Sequence, residues 1–250
     1  MAGHSKWANI KHKKAKSDAR KGKLFTKLIK EIIVAAKVGG GDSAINARLR
    51  TAIEKAKCEN VPGENIERAI KRGIGELEGA NYEEFFYEGY ASGGVAVLVS
   101  VATDNRNRAA SDVRYAFAKC GGRFGESGSV AWMFESRGLF TFDIDYISED
   151  RLMEIAIEAG ADDVATNIED KIYEVYTSPV DFHRVKELFD KEKLKYNLAE
   201  ISMIPKTSVH VEGSEARQVL RLMDELEDLD DVQNVFANFD VSPDDIEEVA

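Results

Sequence analysis

Residues 82–122, YEEFFYEGYASGGVAVLVSVATDNRNRAASDVRYAFAKCGG, decide the fold class. Tyr82–Tyr90 is rich in aromatic residues and reads as a strand. Ser92-Gly93-Gly94 is turn chemistry, and Val95, Val97, Val99 and Val101 alternate along a second strand. Asn105 then caps a helix that runs to Cys120, with Ala109, Val113, Ala116, Phe117 and Cys120 on its inward side and Gly121-Gly122 closing it. Val130–Phe134 reads as a further strand. Strand, turn, strand, helix, strand is the grammar of a sheet with helices packed on it.

Downstream the same grammar continues. Strands are expected at Leu139–Tyr146, Lys171–Thr177, Tyr196–Met203, Ser208–Val211 and Val232–Phe239. Helices are expected at Glu149–Ala159, at Val180–Lys191 after Pro179, and at Ser214–Glu227. Residues 136–205 close into one β-α-β-β-α-β set, whereas residues 79–135 need 206–250 to complete another. The expected fold is α+β with three domains, an N-terminal three-helix domain followed by two split-βαβ (ferredoxin-like) α/β domains. Their expected bounds are 1–78, 79–135 plus 206–250, and 136–205 inserted in the second.

Upstream the pattern is helical. From Lys16 to Lys37, Leu24, Phe25, Leu28, Ile29, Ile32, Ile33 and Ala36 fall on one side of a helix. Lys16, Arg20, Lys23, Lys27, Lys30 and Lys37 fall on the other side, within about 100°. Side chains placed opposite the apolar stripe are expected to face solvent, so reversing Lys23, Lys27 and Lys30 should leave the fold intact. Residues 1–15 show no period and read as an extended arm. Gly39-Gly40-Gly41-Asp42-Ser43 ends the first helix and offers Asp42 or Ser43 as the next N-cap. Ile45, Leu49, Ile53 and Ala56 line a second helix, and a third follows Pro62 from Gly63 to Arg72.

The net charge of -11 conceals an asymmetry. Residues 1–37 hold eleven Lys and Arg against Asp18 and Glu31, a balance of +9. A helical face of one sign, backed by apolar residues, can lie along phosphates. The primary nucleic-acid contacts expected are Lys6, Trp7, Lys11, His12, Lys13, Lys14, Lys16, Arg20, Lys23, Lys27 and Lys30. Trp7 is able to stack on a base or to fill an apolar seam. Secondary phosphate contacts are expected from Arg68, Arg72, Arg106, Arg108 and Arg123. Asn65, Arg68, Lys71 and Arg72 of the third helix suit a groove or plain solvent. The acidic run Asp224–Asp231 should repel nucleic acid, as a solvating surface or as a contact for a basic protein or a neighbouring chain's N-terminus.

Signals for catalysis are weak. The loop Gly121–Ser129 is rich in glycine but lacks the GxxxxGK[ST] pattern, and it reads as a helix C-cap with a connector. His4, His12, His183 and His210 are scattered, with no metal-ligand spacing. Asp143 and Asp145 share one face of an expected strand and would suit Mg²⁺, although a solvated sheet face is the commoner meaning. No catalytic residue, metal or cofactor is expected. Cys58 and Cys120 form no motif and suit a reducing compartment. No stretch is apolar enough to span a membrane. The basic start lacks an apolar core, so it does not read as a secretory signal and the expected location is cytoplasmic.

Four blocks carry a family resemblance: MAGHSKWANIKHKKAKSDARKGKLFTKLIKEI, NARLRTAIEKAKCENVPGENIERAIKRG, YEGYASGGVAVLVSVATDNRNRAASDVRYAFAKCGG and GESGSVAWMF. Together they resemble the YebC/PmpR family over essentially the whole chain. Phe124 stands where leucine is expected. The resemblance implies three domains, no enzymatic activity, and a cytoplasmic DNA-binding transcriptional regulator. It also implies an alternative, a ribosome-associated translation factor that relieves stalling, for example at proline runs. The partner is then DNA or ribosomal RNA. Oligomeric state is not encoded in any motif.

Overall fold

A computed structural model describes residues 18–168 and 170–242, with side chains from residue 22 onward. These residues gather into two compact units. One comprises residues 18–131, 211–237 and 241–242, and the other residues 132–168, 170–210 and 238–240. The architecture is α+β, with an N-terminal helical region followed by β-containing segments.

In the first unit, α1 (Asp18–Gly39), α2 (Ala47–Cys58) and α3 (Gly63–Gly73) share one core. Leu28, Ile32, Ile33, Ala35 and Ala36 of α1 meet Leu49, Ala52 and Ala56 of α2 and Ile66 and Ala69 of α3. The stripe read from spacing is therefore the packing face. Gly73 permits the close approach of α3 to α1, since a Cβ there would lie 2.6 Å from the Ala36 methyl and from the Ile33 carbonyl oxygen. The N-cap of α2 is Asn46 and neither Asp42 nor Ser43. Its side-chain oxygen accepts from the Leu49 N–H at 3.0 Å, while its amide donates to the Ala35 and Gly40 carbonyls, both at 2.8 Å. One buried side chain thus ends α1 and starts α2.

The same unit holds a four-stranded sheet in the order β3-β1-β2-β9. Its strands are β1 (Glu83–Tyr90), β2 (Ala96–Thr103), β3 (Arg123–Phe124) and β9 (Val232–Ala237). β1 and β2 form an antiparallel hairpin, Glu83 opposite Thr103 and Tyr90 opposite Ala96. All eight residues of β2 are buried, so this central strand is covered on both faces. Helix α4 (Arg106–Lys119) links β2 to β3, and β1 lies between those two strands, which makes a split βαβ unit. Helix α7 (Gly213–Glu227) leads into β9. Asn105 caps α4, accepting from the Arg108 N–H at 3.0 Å.

The second unit holds a sheet in the order β5-β6-β4-β7, built from β4 (Phe134–Asp143), β5 (Asp163–Asn167), β6 (Ile172–Thr177) and β7 (Leu198–Pro205). Helix α5 (Glu149–Ala159) follows β4, and α6 (Phe182–Lys191) follows β6. This is the ferredoxin-like order, with Phe140, Phe142, Leu152, Ile155, Phe182, Val185 and Phe189 in its core. β8 (Val209–His210) pairs in parallel with β10 (Phe239–Asp240).

Several elements differ from the sequence reading: β3 lies within the expected connector, and the expected strand Val232–Phe239 is divided between β9 and β10. Phe134 does not end a strand from Val130. It begins the ten-residue β4, after a turn of 3₁₀ helix at Ala131–Met133. Gly138 lies in mid-strand because a Cβ there would stand 2.7 Å from the Phe182 ring. β5 is a further strand, half exposed along its length. β4 stops at Asp143, whose carboxylate accepts from the Asp145 N–H at 2.8 Å in a turn, so the two acids do not line one strand face.

Candidate nucleic-acid interface

The basic face of α1 is turned toward the protein. Lys23 Nζ donates to the Asp228 carbonyl at 3.0 Å and lies 3.4 Å from its carboxylate. Lys27 Nζ donates to the Glu227 carbonyl at 2.6 Å. Lys30 Nζ donates to the Asp230 carbonyl at 2.8 Å and to the Asp231 carboxylate at 2.9 Å. Lys37 Nζ reaches Asn81 Oδ1 at 2.6 Å and the Tyr82 carbonyl at 3.0 Å. The row at spacings of four and three therefore grips the C-terminal end of α7, where the helix dipole and unpaired carbonyls favour cations.

Asp231 is the centre of this clamp. Arg108 donates to it through Nε at 3.0 Å and Nη2 at 2.8 Å, and also holds Asp104 at 2.8 Å. Burial raises the Asp231 pKa, but hydrogen bonds from Lys30 and Arg108 outweigh it and hold the carboxyl below its ordinary range. Lys30 is only 6% exposed. The expectation that Lys30 faces solvent is thus corrected, because the helix side opposite the apolar stripe is covered by α7's end. Arg108 likewise serves the protein's own acid. The run Asp224–Asp231 is not simply a solvating surface, since its last residues neutralise the basic helix from within.

Lys6, Trp7, Lys11, His12, Lys13, Lys14 and Lys16 lie outside the described residues, and so does the Arg20 side chain. On α3, Asn65, Arg68, Lys71 and Arg72 are exposed, with Arg68 and Lys71 on the side away from Ile66 and Ala69. Arg68, Lys71 and Arg72 carry no ion pair among the described residues. Arg106 lies 3.6 Å from Glu83 and 4.5 Å over the Phe85 ring. Arg123, on β3, is exposed.

The glycine-rich connector after α4 already holds an anion of the protein's own. Glu88 accepts from the N–H groups of Gly128 at 2.6 Å, Val130 at 2.6 Å and Ala131 at 2.8 Å. Burial raises the Glu88 pKa, yet the three backbone bonds prevail and the carboxyl is held low. This is the geometry of a phosphate nest filled from inside. Nothing in the connector's own composition announces it. The only signal is an acid at an inward position of β1, which the aromatic reading of that strand passes over. Among the described residues no group of His, Cys, Asp and Glu is placed to hold a metal, and no helix is long and apolar enough to cross a membrane.

Fold and surface define an α+β protein with a base-rich helical head. Residues 5–76 match the TACO1/YebC protein N-terminal domain, and residues 82–239 match the TACO1/YebC second and third domain. The chain belongs to the TACO1/YebC family. A relative from Syntrophobacter fumaroxidans is 60% identical over 98% of both chains and is named "Probable transcriptional regulatory protein". One from Trichlorobacter lovleyi, 57% identical over 100% of both chains, has the same name. The crystal structure of a conserved hypothetical protein from Aquifex aeolicus superposes with a TM-score of 0.81 at 50% identity, covering 91% of this chain and 93% of that one.

Proposed function

We propose that this chain is a non-enzymatic, cytoplasmic, DNA-binding regulator of transcription that needs no cofactor. Its main phosphate contacts are Lys6, Lys11, Lys13, Lys14, Lys16 and Arg20, with Trp7 and His12 beside them. Arg68 and Arg72 add to them from α3. One observation carries the reading. Lys23, Lys27, Lys30 and Lys37 are engaged by the protein itself, whereas the seven bases from Lys6 to Lys21 share their stretch with Asp18 alone. The names of the relatives point the same way.

The test is a titration of duplex DNA at several salt concentrations. If about six phosphates are neutralised, the log–log salt slope is roughly -5, and a fourfold rise in salt weakens binding by about three orders of magnitude. A slope near zero would sink the reading. A second reading, ribosomal RNA as the main target, is favoured by α3. There three exposed cations accompany Asn65 as the one amide suited to a base edge, and RNA helices are recognised by shape and phosphate. Co-sedimentation with ribosomes at matched salt separates the two.

A further inference from the structure

Phe85 and Tyr87 are two residues apart on β1, so both point to one face of the sheet. The next residue on that face, Gly89, has no side chain, and the Phe117 ring of α4 takes the space, where a Cβ would stand 2.6 Å from it. Beside Gly89, on β3, is Phe124. The three rings form a continuous strip. Phe85 and Tyr87 centroids are 5.1 Å apart, and those of Tyr87 and Phe124 are 5.4 Å apart. Phe117 packs edge-on to Phe124 at 6.2 Å.

Each end of the strip carries a guanidinium from α4. Arg106 lies over Phe85 at 4.5 Å, and Arg114 over Phe124 at 5.0 Å. The Tyr87 hydroxyl donates to the Arg106 carbonyl at 3.0 Å and fixes the middle ring. Beyond Arg114 is an open hollow of about 500 Å³, lined by Arg114, Gly122, Arg123, Phe124 and Glu126 among others. Arg114 and Arg123 are exposed and carry no ion pair among the described residues. The acids nearby include Glu83, which faces Arg106, Glu126 in the hollow, and Asp231, whose charge reaches Tyr87 but is already met by Lys30 and Arg108.

Phe85, Tyr87 and Phe124 are half-buried, so each keeps part of its surface exposed. β3 pairs with β1 only at Gly89 and Tyr90, which leaves the outer edge of Glu83–Tyr87 without a strand partner among the described residues. A purely apolar protein partner would leave the guanidinium groups unpaired against it. Planar rings and planar guanidinium groups both stack on bases, and the same arginines neutralise phosphates.

We propose that the strip Phe85–Tyr87–Phe124, with Arg106, Arg114 and Arg123, is a second nucleic-acid site that takes unpaired nucleotides of a single strand. It deepens the reading of the chain as a nucleic-acid binder, through residues other than those of the N-terminal basic segment. Bases stack on the rings, and backbone phosphates meet Arg114 and Arg123.

The full chain is titrated with fluorescent oligo(dT), oligo(U) and a duplex of equal length. Phe124→Leu keeps apolar packing on Phe117 but removes the ring, and Arg114→Gln with Arg123→Gln removes two charges without touching the core. Each variant is expected to weaken single-strand binding about tenfold and to leave duplex binding within about twofold. Preference for oligo(U) or oligo(dT) tells RNA from DNA. Photo-crosslinks from 5-bromo-substituted oligonucleotides should map to peptides containing Tyr87 or Phe124. Folded variants that bind both oligonucleotides as tightly as the parent, with crosslinks elsewhere, would overturn the site. Loss of duplex binding in the parent would instead sink the regulator reading, so the two failures are distinct.

Discussion

Lys23–Lys30 on α1 and Arg68–Arg72 on α3 are equally basic as sequence, and each set sits opposite an apolar stripe. In the folded chain they differ completely. The first set is bound to the carbonyls and carboxylates at the end of α7, with Lys30 inside the protein. The second is exposed and without ion pairs among the described residues. Helical periodicity tells which side of a helix lacks apolar residues, but not what covers that side. A charged face becomes a binding face only when no other part of the chain has claimed it.

The sharpest way to break this contrast is Asp231→Ala. Lys30 and Arg108 then lose their shared acid, and a buried ammonium is left uncompensated. Such changes cost about 3 kcal/mol or more. Urea denaturation should show the loss, and a midpoint within experimental error of the parent would mean that the clamp contributes nothing. Reversal of Lys23, Lys27 and Lys30 together must damage the fold for the same reason, so it cannot serve as a clean test of nucleic-acid contact.

The clean test lies upstream. Lys11→Glu, Lys13→Glu and Lys14→Glu combined should weaken duplex binding about a hundredfold at low salt and flatten the salt slope by about 3, with little change in melting temperature. An unchanged slope would return the α1 row to consideration.

Acid sharpens the contrast in another way. Asp231 and Glu88 both have folded pKa values below their ordinary range. Their stabilisation is therefore complete above the unfolded value of about 4 and fades as pH falls through the lower folded values. Asp231→Asn should remove part of that acid dependence, measured as the slope of unfolding free energy between about pH 5 and pH 3. A slope equal to the parent's would show that Asp231 does not contribute to it. The smallest effect expected is the single change Arg68→Ala, which should weaken binding to any duplex by a few-fold and leave stability within about 0.5 kcal/mol. A Lys27→Ala change should do the reverse, costing some stability and little affinity.

Much of the fold was legible because burial repeats at the period of each element. Leu28, Ile32 and Leu49 mark helices, and the valines of β2 mark a strand. The elements that were misread have weak patterns of their own. β4 crosses Glu135-Ser136-Arg137-Gly138, which looks like a turn until Phe182 is seen to need the room at Gly138. β5 is an edge strand with little apolar content. The candidate site was less legible, since the partners of Lys23, Lys27 and Lys30 lie about two hundred residues away in sequence. The one available hint was the acidic run Asp224–Asp231, opposite in sign and comparable in length. The bases from Lys6 to Lys16 lie outside the described residues, and the glycine-rich nest was marked only by the inward acid Glu88 on β1.

The pair Lys30–Asp231 joins residues 201 positions apart, and that separation sets an order of events during synthesis. A chain made from its N-terminus can form the α1–α3 core early, because the contacts among these three helices are local. The lysine row then stays bare until α7 and the residues after it have emerged. Throughout that interval the nascent protein displays a cationic helix that the finished one has put away. A product that stops before α7 would keep the row on display and should hold polyanions through α1 itself, which the complete chain does not.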